Sequence, residues 1–270
     1  MDFKWSFEID TFISACFNSC QPMGLCLAQL CFRLTIESLI RSLMISASIT
    51  SIKQPLEVET INRWQAFLSV SDQIKINRFS RWQDAQLTLL GRCLLMDAFI
   101  QLGFSPDLIK ELKFSEFKKP FLQNGLKFNI SHSGKYVICV VSDEEVGVDI
   151  EEIKAVNIHD FKNQWIEEEW LSIVNGSNVL EQFYRGWTRK EAIIKADGRG
   201  MMIALDEVRV LPSEFMLGST KWFYTDVEID DEYSCSVASK NKPNAKIALR
   251  KIDFSNHNLL FYERSRNYSF

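Results

Sequence analysis

Hydrophobic positions recur with helical spacing through the first part of the chain and switch to strict alternation in its middle. The segment ISASITSI, 45–52, reads as a strand, and helical periodicity then covers 61–68 and 73–79. A longer run, 84–102, carries Leu87, Leu90, Leu94 and Ala98 on one stripe and Leu89, Cys93, Met96 and Ile100 on another. A helix apolar on most sides is a buried one. Gly103 stops it, and Ser105-Pro106-Asp107 opens a short helix with an N-cap residue followed by proline at the first helical position.

Alternation takes over in FNISHSGKYVICVVSDEEVGVDIE, which predicts three short strands at 127–130, 136–141 and 146–150, joined by the SHSG and SDEE turns. Successive strand side chains point to opposite faces, so Asp149 and Glu151 share one side while Val148 and Ile150 anchor the other. Two neighbouring carboxylates repel and resist ionisation unless a cation neutralises them. The pair is either a solvated acidic strand end or half of a site for a hard divalent ion, Mg²⁺ before others.

A helix is expected over 157–174, with the acidic run 167–169 as a solvated face and Trp165 and Trp170 turned inward. In WTRKEAIIKADGRG, Trp187, Glu191 and Lys195 fall at i, i+4 and i+8 on one helix face, and Gly198 and Gly200 end the helix. Glu191 and Lys195 are either an exposed ion pair, worth about 0.3–0.5 kcal/mol, or a third oxygen donor for the ion with an ammonium facing a phosphate. Strands follow at 207–211, 221–229, 233–238 and 246–252, with Asp230-Asp231 as a turn.

Composition narrows the classes. With 270 residues, 46% of them hydrophobic and 20 of them Phe, the chain can bury a large core. A net charge of -4 and a pI near 5.6 argue against a general nucleic-acid binder. The seven Cys form no C-x-x-C pair and only three His exist, so a structural zinc site is poorly supported and reduced thiols of a cytoplasmic protein fit better. Residues 11–31 carry no charge, but Asn18, Ser19, Gln21 and Pro22 interrupt them, and Asp2, Glu8 and Asp10 oppose a secretory leader. The expectation is that Met44 is the initiator and that 1–43 is an extension without a role in the fold; the competing view packs it on the core as an amphipathic segment.

Four ordered motifs, KPF at 119–121, NISHS at 129–133, GVDIE at 147–151 and W-x-x-K-E-x-x-x-K at 187–195, together resemble the 4'-phosphopantetheinyl transferases, closest to their surfactin-type branch. The likeness runs from Met44 to about Ile252. It implies an α+β fold of two similar lobes related by pseudo-twofold symmetry, each a mainly antiparallel sheet packed with a long helix, spanning 44–146 and 147–270 with the seam near Val146. It implies transfer of the phosphopantetheine arm of coenzyme A to a serine of an apo acyl- or peptidyl-carrier protein, with Mg²⁺ as cofactor and adenosine 3',5'-bisphosphate released.

The same resemblance implies Asp149, Glu151 and Glu191 as Mg²⁺ ligands, Glu191 also as acceptor of the serine proton, and Lys195 as the pyrophosphate contact. Lys75, Thr88, Lys119, Ser131 and His132 match coenzyme A contacts. Leu87, where relatives usually carry Arg, and Asp72, where a basic residue can occur, depart from the pattern and put the grip on the nucleotide's 3'-phosphate in question. Residues 155–165 are the expected carrier-recognition segment, with Lys154 and Lys162 steering an acidic partner. A cytoplasmic monomer is expected, with no nucleic acid and no membrane as partner. The alternatives are a Mg²⁺-dependent phosphatase or nuclease, and a non-catalytic synthase partner that keeps the fold.

Overall fold

The computed structural model of the chain describes residues 45–210, 215–242 and 247–254. The expectations for 1–43 lie outside them. A strand, β1 (Ser46–Ser51), leads to three helices, α1 (Val58–Gln65), α2 (Val70–Asn77) and α3 (Trp82–Gln101). Ser69 caps α2, its Oγ accepting from Asp72 N at 3.2 Å, and Ser105 caps the 3-10 turn Pro106–Glu111 in the same way. Two short strands not foreseen from the pattern, β2 (Lys113–Phe114) and β3 (Pro120–Phe121), pair with each other before β4 (Lys127–Ser133), β5 (Tyr136–Ser142) and β6 (Val146–Glu152).

The second half comprises a 3-10 turn (Ile158–Gln164), α4 (Glu167–Val174), α5 (Val179–Asp197), and strands β7 (Val208–Val210), β8 (Phe215–Leu217), β9 (Thr220–Asp226), β10 (Tyr233–Ser239) and β11 (Leu249–Lys251). One sheet runs β11-β1-β5-β4 and the other β6-β10-β9-β8-β7. All neighbours are antiparallel except β1 and β11. The fold is thus α+β, and its last described strand returns to the first sheet.

Alternation decides what each face meets. Val146, Val148 and Ile150 of β6 are fully buried in a cluster shared with Ile138 and Val140 of the other sheet. The opposite face of the first sheet packs on α3, whose Leu90, Leu94 and Phe99 are buried with Val137 and Cys139. Helix α5 packs Ala192 and Ala196 against β6. Gly147 permits that approach: a Cβ there would lie 2.0 Å from Ala192 O and 2.4 Å from Ala196 N. The side chains that follow Gly147 on its own face, Asp149 and Glu151, are therefore carried under α5.

Strands β4 and β6 are the edges of the two sheets, and side chains join them where a backbone ladder would otherwise stand. Asn129 Oδ1 accepts from Val148 N at 3.0 Å, Ser131 Oγ from Ile150 N at 3.4 Å, and Ser133 Oγ from Glu152 N at 3.1 Å. Three alternate residues of one motif thus satisfy three alternate amides of the next.

The helix expected over 157–174 is interrupted. Trp165 and Ile166 are extended, because the Trp165 indole docks on α5: a Cβ at Gly186 would sit 2.7 Å from its ring, and the Lys190 ammonium lies 4.8 Å from its centroid. Glu167 and Glu168 are solvated as expected, whereas Glu169 turns inward to meet buried Lys190 at 2.6 Å. The described cysteines, Cys93, Cys139 and Cys235, are buried free thiols. Burial pushes the Cys139 thiol up to about 12, leaving it protonated and inert.

Candidate functional site

Asp149 is 3% exposed. Its Oδ1 receives the Lys195 Nζ at 2.5 Å and the Ser131 hydroxyl at 3.1 Å. Lys195 also donates to Ser131 Oγ at 2.9 Å. That hydroxyl is saturated: one proton given to Asp149, one lone pair to Ile150 N and one to Lys195. Asp149 Oδ2 is buried without a hydrogen-bond partner among the described residues. Glu151 Oε2 accepts from the Ser133 hydroxyl at 2.8 Å.

Helix spacing alone allowed Glu191 and Lys195 to pair with each other. They do not: Lys195 reaches across to Asp149, and Glu191, partly buried, has neither a hydrogen-bond nor an ion-pair partner among the described residues. Burial first, then the Asp149 charge, pushes the Glu191 carboxyl above its ordinary range, with Lys195 opposing. Glu151 is raised by burial and then by Asp149, with a smaller contribution from Glu191. Asp149 is raised by burial although Lys195 and Ser131 pull it down. The three carboxylates therefore sense one another and share too little positive charge. They do not already form a closed cluster; no group of three His, Cys, Asp or Glu side chains among the described residues converges tightly enough to grip an ion.

His132 points to the α3 side of β4. Its imidazole is held below the usual range by desolvation first and then by the Lys195 ammonium, while Asp84, in the first turn of α3, works the other way. Thr88 lies one turn beyond Asp84 on that same face and is partly buried. Lys119 Nζ donates to Ala196 O at 2.7 Å and pairs with Glu145 at 3.3 Å, tying the KPF segment to the C-terminal end of α5. Its pKa is lowered chiefly by burial. A cavity of about 290 Å³, walled by Lys119, Phe121, Phe128, Glu145, Gly198 and Arg199, opens beside it. Lys75 is exposed, its ammonium 6.0 Å from the Phe114 ring. Neither Lys75 nor Thr88 hydrogen-bonds to the carboxylate group.

The two departures noted in the sequence are framework positions. Leu87 is 2% exposed in the core of α3, and Asp72 is buried against Arg92 at 3.5 Å. Lys154 and Lys162 are less free to steer a partner than their sequence suggests, since Glu152 lies 2.7 Å from the first and Glu167 3.9 Å from the second. A larger hollow, about 920 Å³, borders Arg185, Gly186 and Arg189. At about 100° per residue these occupy the side of α5 away from Glu191 and Lys195, and Arg185 and Arg189 are engaged by Glu181 and Asp226. Sequence reasoning missed Gly147, Asn129 and Ser133, the residues that seat the carboxylates; the alternation of polar residues in NISHS was the available signal.

Comparison with known proteins bears on this arrangement. Residues 145–246 match the family model described as the 4'-phosphopantetheinyl transferase superfamily, and 54–144 match the one described as 4'-phosphopantetheinyl transferase, N-terminal. The two meet in the turn before β6. The chain is 33% identical over 159 residues to the 4'-phosphopantetheinyl transferase gsp of Aneurinibacillus migulanus, covering 57% of this chain and 67% of the relative. It is 32% identical over 163 residues to the 4'-phosphopantetheinyl transferase Sfp of Bacillus subtilis, covering 58% and 72%. The L-aminoadipate-semialdehyde dehydrogenase-phosphopantetheinyl transferase of Xenopus laevis is 30% identical over 210 residues, covering 68% of each chain.

Proposed function

The chain belongs to the 4'-phosphopantetheinyl transferase superfamily, in its Sfp-like branch, and from that premise we propose that it transfers the 4'-phosphopantetheine arm of coenzyme A to a serine hydroxyl of an apo acyl- or peptidyl-carrier protein. In this reading Asp149, Glu151 and Glu191 hold Mg²⁺, and the carrier serine enters between them and Lys195. The observation that carries it is that Lys195 of α5 reaches Asp149 of β6 while Glu151 and Glu191 lie near enough to feel the Asp149 charge, at the edge where the two sheets adjoin.

The side chains fit a hard dication. All three donors are carboxylate oxygens, and Asp149 Oδ2 is a buried acceptor without a partner among the described residues. When bound, Mg²⁺ supplies positive charge to the pyrophosphate oxygens as negative charge builds on the departing bisphosphate.

The chain's own groups account for the rest. Glu191, which has no hydrogen-bond or ion-pair partner among the described residues, takes the serine proton. The serine oxygen bonds to the phosphorus that bears the pantetheine arm, the bridging P–O bond breaks, and its electron pair leaves with adenosine 3',5'-bisphosphate. Lys195, a flexible point charge already at this seam, turns from Asp149 to the pyrophosphate and follows that charge. His132 orients the phosphates from the β4 side and Ser131 acts on them through its hydrogen bond with Lys195, while Lys119, Lys75 and Thr88 serve the nucleotide end.

The enzyme is read as a cytoplasmic monomer; no helix among the described residues is long and apolar enough to cross a membrane. Incubating the purified full chain with coenzyme A, Mg²⁺ and a panel of apo-carrier proteins, followed by intact-protein mass spectrometry, tests the proposal. One phosphopantetheine added per carrier is expected. No addition on any carrier would overturn it.

A further inference from the structure

The two serines of NISHS stand in different hydrogen-bonding situations. Ser131 shares its oxygen among Asp149, Lys195 and Ile150 N. Among the described residues Ser133 has two partners: it accepts from Glu152 N at 3.1 Å and gives its single proton to Glu151 Oε2 at 2.8 Å. The amide bond fixes the oxygen in space, and the proton then has one carboxylate to serve. Glu151 is only partly buried and makes no ion pair among the described residues, so this hydroxyl is the restraint on a side chain with three rotatable bonds.

We propose that Ser133 is a positioning residue for Glu151. It holds one carboxylate oxygen at the β4 edge so that the other is presented toward Asp149 and Glu191. The proposal rests on the reading of Glu151 as a metal ligand. Its physical basis is pre-organisation: a carboxylate held by one charge-assisted hydrogen bond loses less freedom when it takes up an ion. The seam supplies the geometry. Because β4 and β6 are joined through side chains, the hydroxyl reaches from one strand to a carboxylate of the other, which a backbone carbonyl in its place could not do, having no proton to give.

The test is binding of Mn²⁺, as a spectroscopic substitute for Mg²⁺, to the full chain, followed by electron paramagnetic resonance of the free ion. Ser133→Ala should weaken Mn²⁺ by about tenfold, the lower end of what loss of such a partner costs. The Mg²⁺ concentration for half-maximal transfer should rise by a similar factor, with the KM for coenzyme A unchanged. Ser133→Thr, which keeps the hydroxyl, should restore both. A folded Ser133→Ala protein that binds Mn²⁺ as the parent does would overturn the assignment, as would a loss of affinity that Ser133→Thr fails to recover. Should the alanine protein not fold, the threonine variant and Ser133→Cys, a weak donor of similar size, carry the comparison. Failure of the underlying reading looks different: the parent itself would then neither bind Mn²⁺ nor modify a carrier.

Discussion

Helices α3 and α5 are nearly the same length, 20 and 19 residues, and each packs on one sheet, yet only α5 sends a charged side chain to the β6 carboxylates. In α3 the polar residues are spent on the framework. Gln86 Oε1 accepts from Leu56 N at 2.9 Å, Arg92 meets buried Asp72, and Asp97 meets Arg250 of β11. In α5, Lys190 and Thr188 are used similarly, on Glu169 and on Ser234 and Ser236. Lys195, however, leans over β6 and meets Asp149 across the chain, and Glu191 lies within reach of that carboxylate's charge. The difference teaches that a buried charge is framework when its partner is local to the fold's interior and already sufficient, and candidate chemistry when several groups of one sign share one mobile counter-charge.

The largest effect should separate the two helices by function. Asp149→Ala and Glu191→Gln should each lower carrier modification by at least about 10³-fold, within the usual weight of a proton acceptor or charge stabiliser, with circular dichroism unchanged. Asp97→Asn in α3 should leave kcat/KM within about twofold and cost roughly 1–3 kcal/mol of stability in urea unfolding, since Arg250 loses a charged partner. A catalytic loss in Asp97→Asn comparable to that in Glu191→Gln would erase the contrast.

The glycines at the two helix–sheet contacts, Gly91 within α3 and Gly147 on β6 under α5, form the next pair. Gly147→Ala drives a Cβ into α5 backbone at 2.0 and 2.4 Å, atoms that cannot move aside alone. It should cost more than about 3 kcal/mol, beyond ordinary overpacking. Gly91→Ala in α3 meets side-chain methyls, Ile130 Cγ2 at 2.9 Å and Val137 Cγ2 at 3.3 Å. Overpacking of about 1–3 kcal/mol is there offset by about 1 kcal/mol of helix propensity, so a net loss near 1 kcal/mol is expected. Equal losses from chemical denaturation would mean that β6 and α5 are no more tightly seated than the first sheet and α3.

The smallest effect concerns pH. The native Glu191 carboxyl titrates above its unfolded counterpart, so the native state holds the proton longer, and stability is greatest below the unfolded value and falls as pH rises through the folded one. Glu191→Gln cannot ionise. Without metal it should therefore melt above the parent at neutral pH, and the advantage should disappear below the ordinary glutamate range, about pH 4.3. A variant that melts below the parent at neutral pH would show Glu191 to be stabilising where it stands, against the picture of a strained acidic cluster.

Much of this architecture was legible in the chain. The two-stripe pattern of α3 predicted burial on most sides, and Leu89, Leu94 and Met96 are fully buried. The alternation in GVDIE placed Val148 and Ile150 in the core and Asp149 and Glu151 on the other face. Boundaries were less legible where packing overrode local preference. The helix expected over 157–174 breaks because Trp165 is drawn into the side of α5, and Glu169, which looked like one more solvated acid, faces Lys190. Strand β4 runs on to Ser133, past the point where SHSG read as a turn, because its alternate side chains are satisfied by β6 amides.

By itself the sequence determined the periods, and with them which residue shares a face with which: Asp149 with Glu151, and Trp187 with Glu191 and Lys195. It also left Glu191 and Lys195 free to be a surface pair. Only the tertiary structure decided that Lys195 crosses to Asp149, that Glu191 has no partner among the described residues, and that Ser133 donates to Glu151. The reason is that periodicity acts within one element, through bonds a few residues apart, whereas the electrostatics of a carboxylate depends on whatever surface the rest of the chain brings against it. Here that surface was set by an absent side chain, Gly147, which lets one helix lie against one strand.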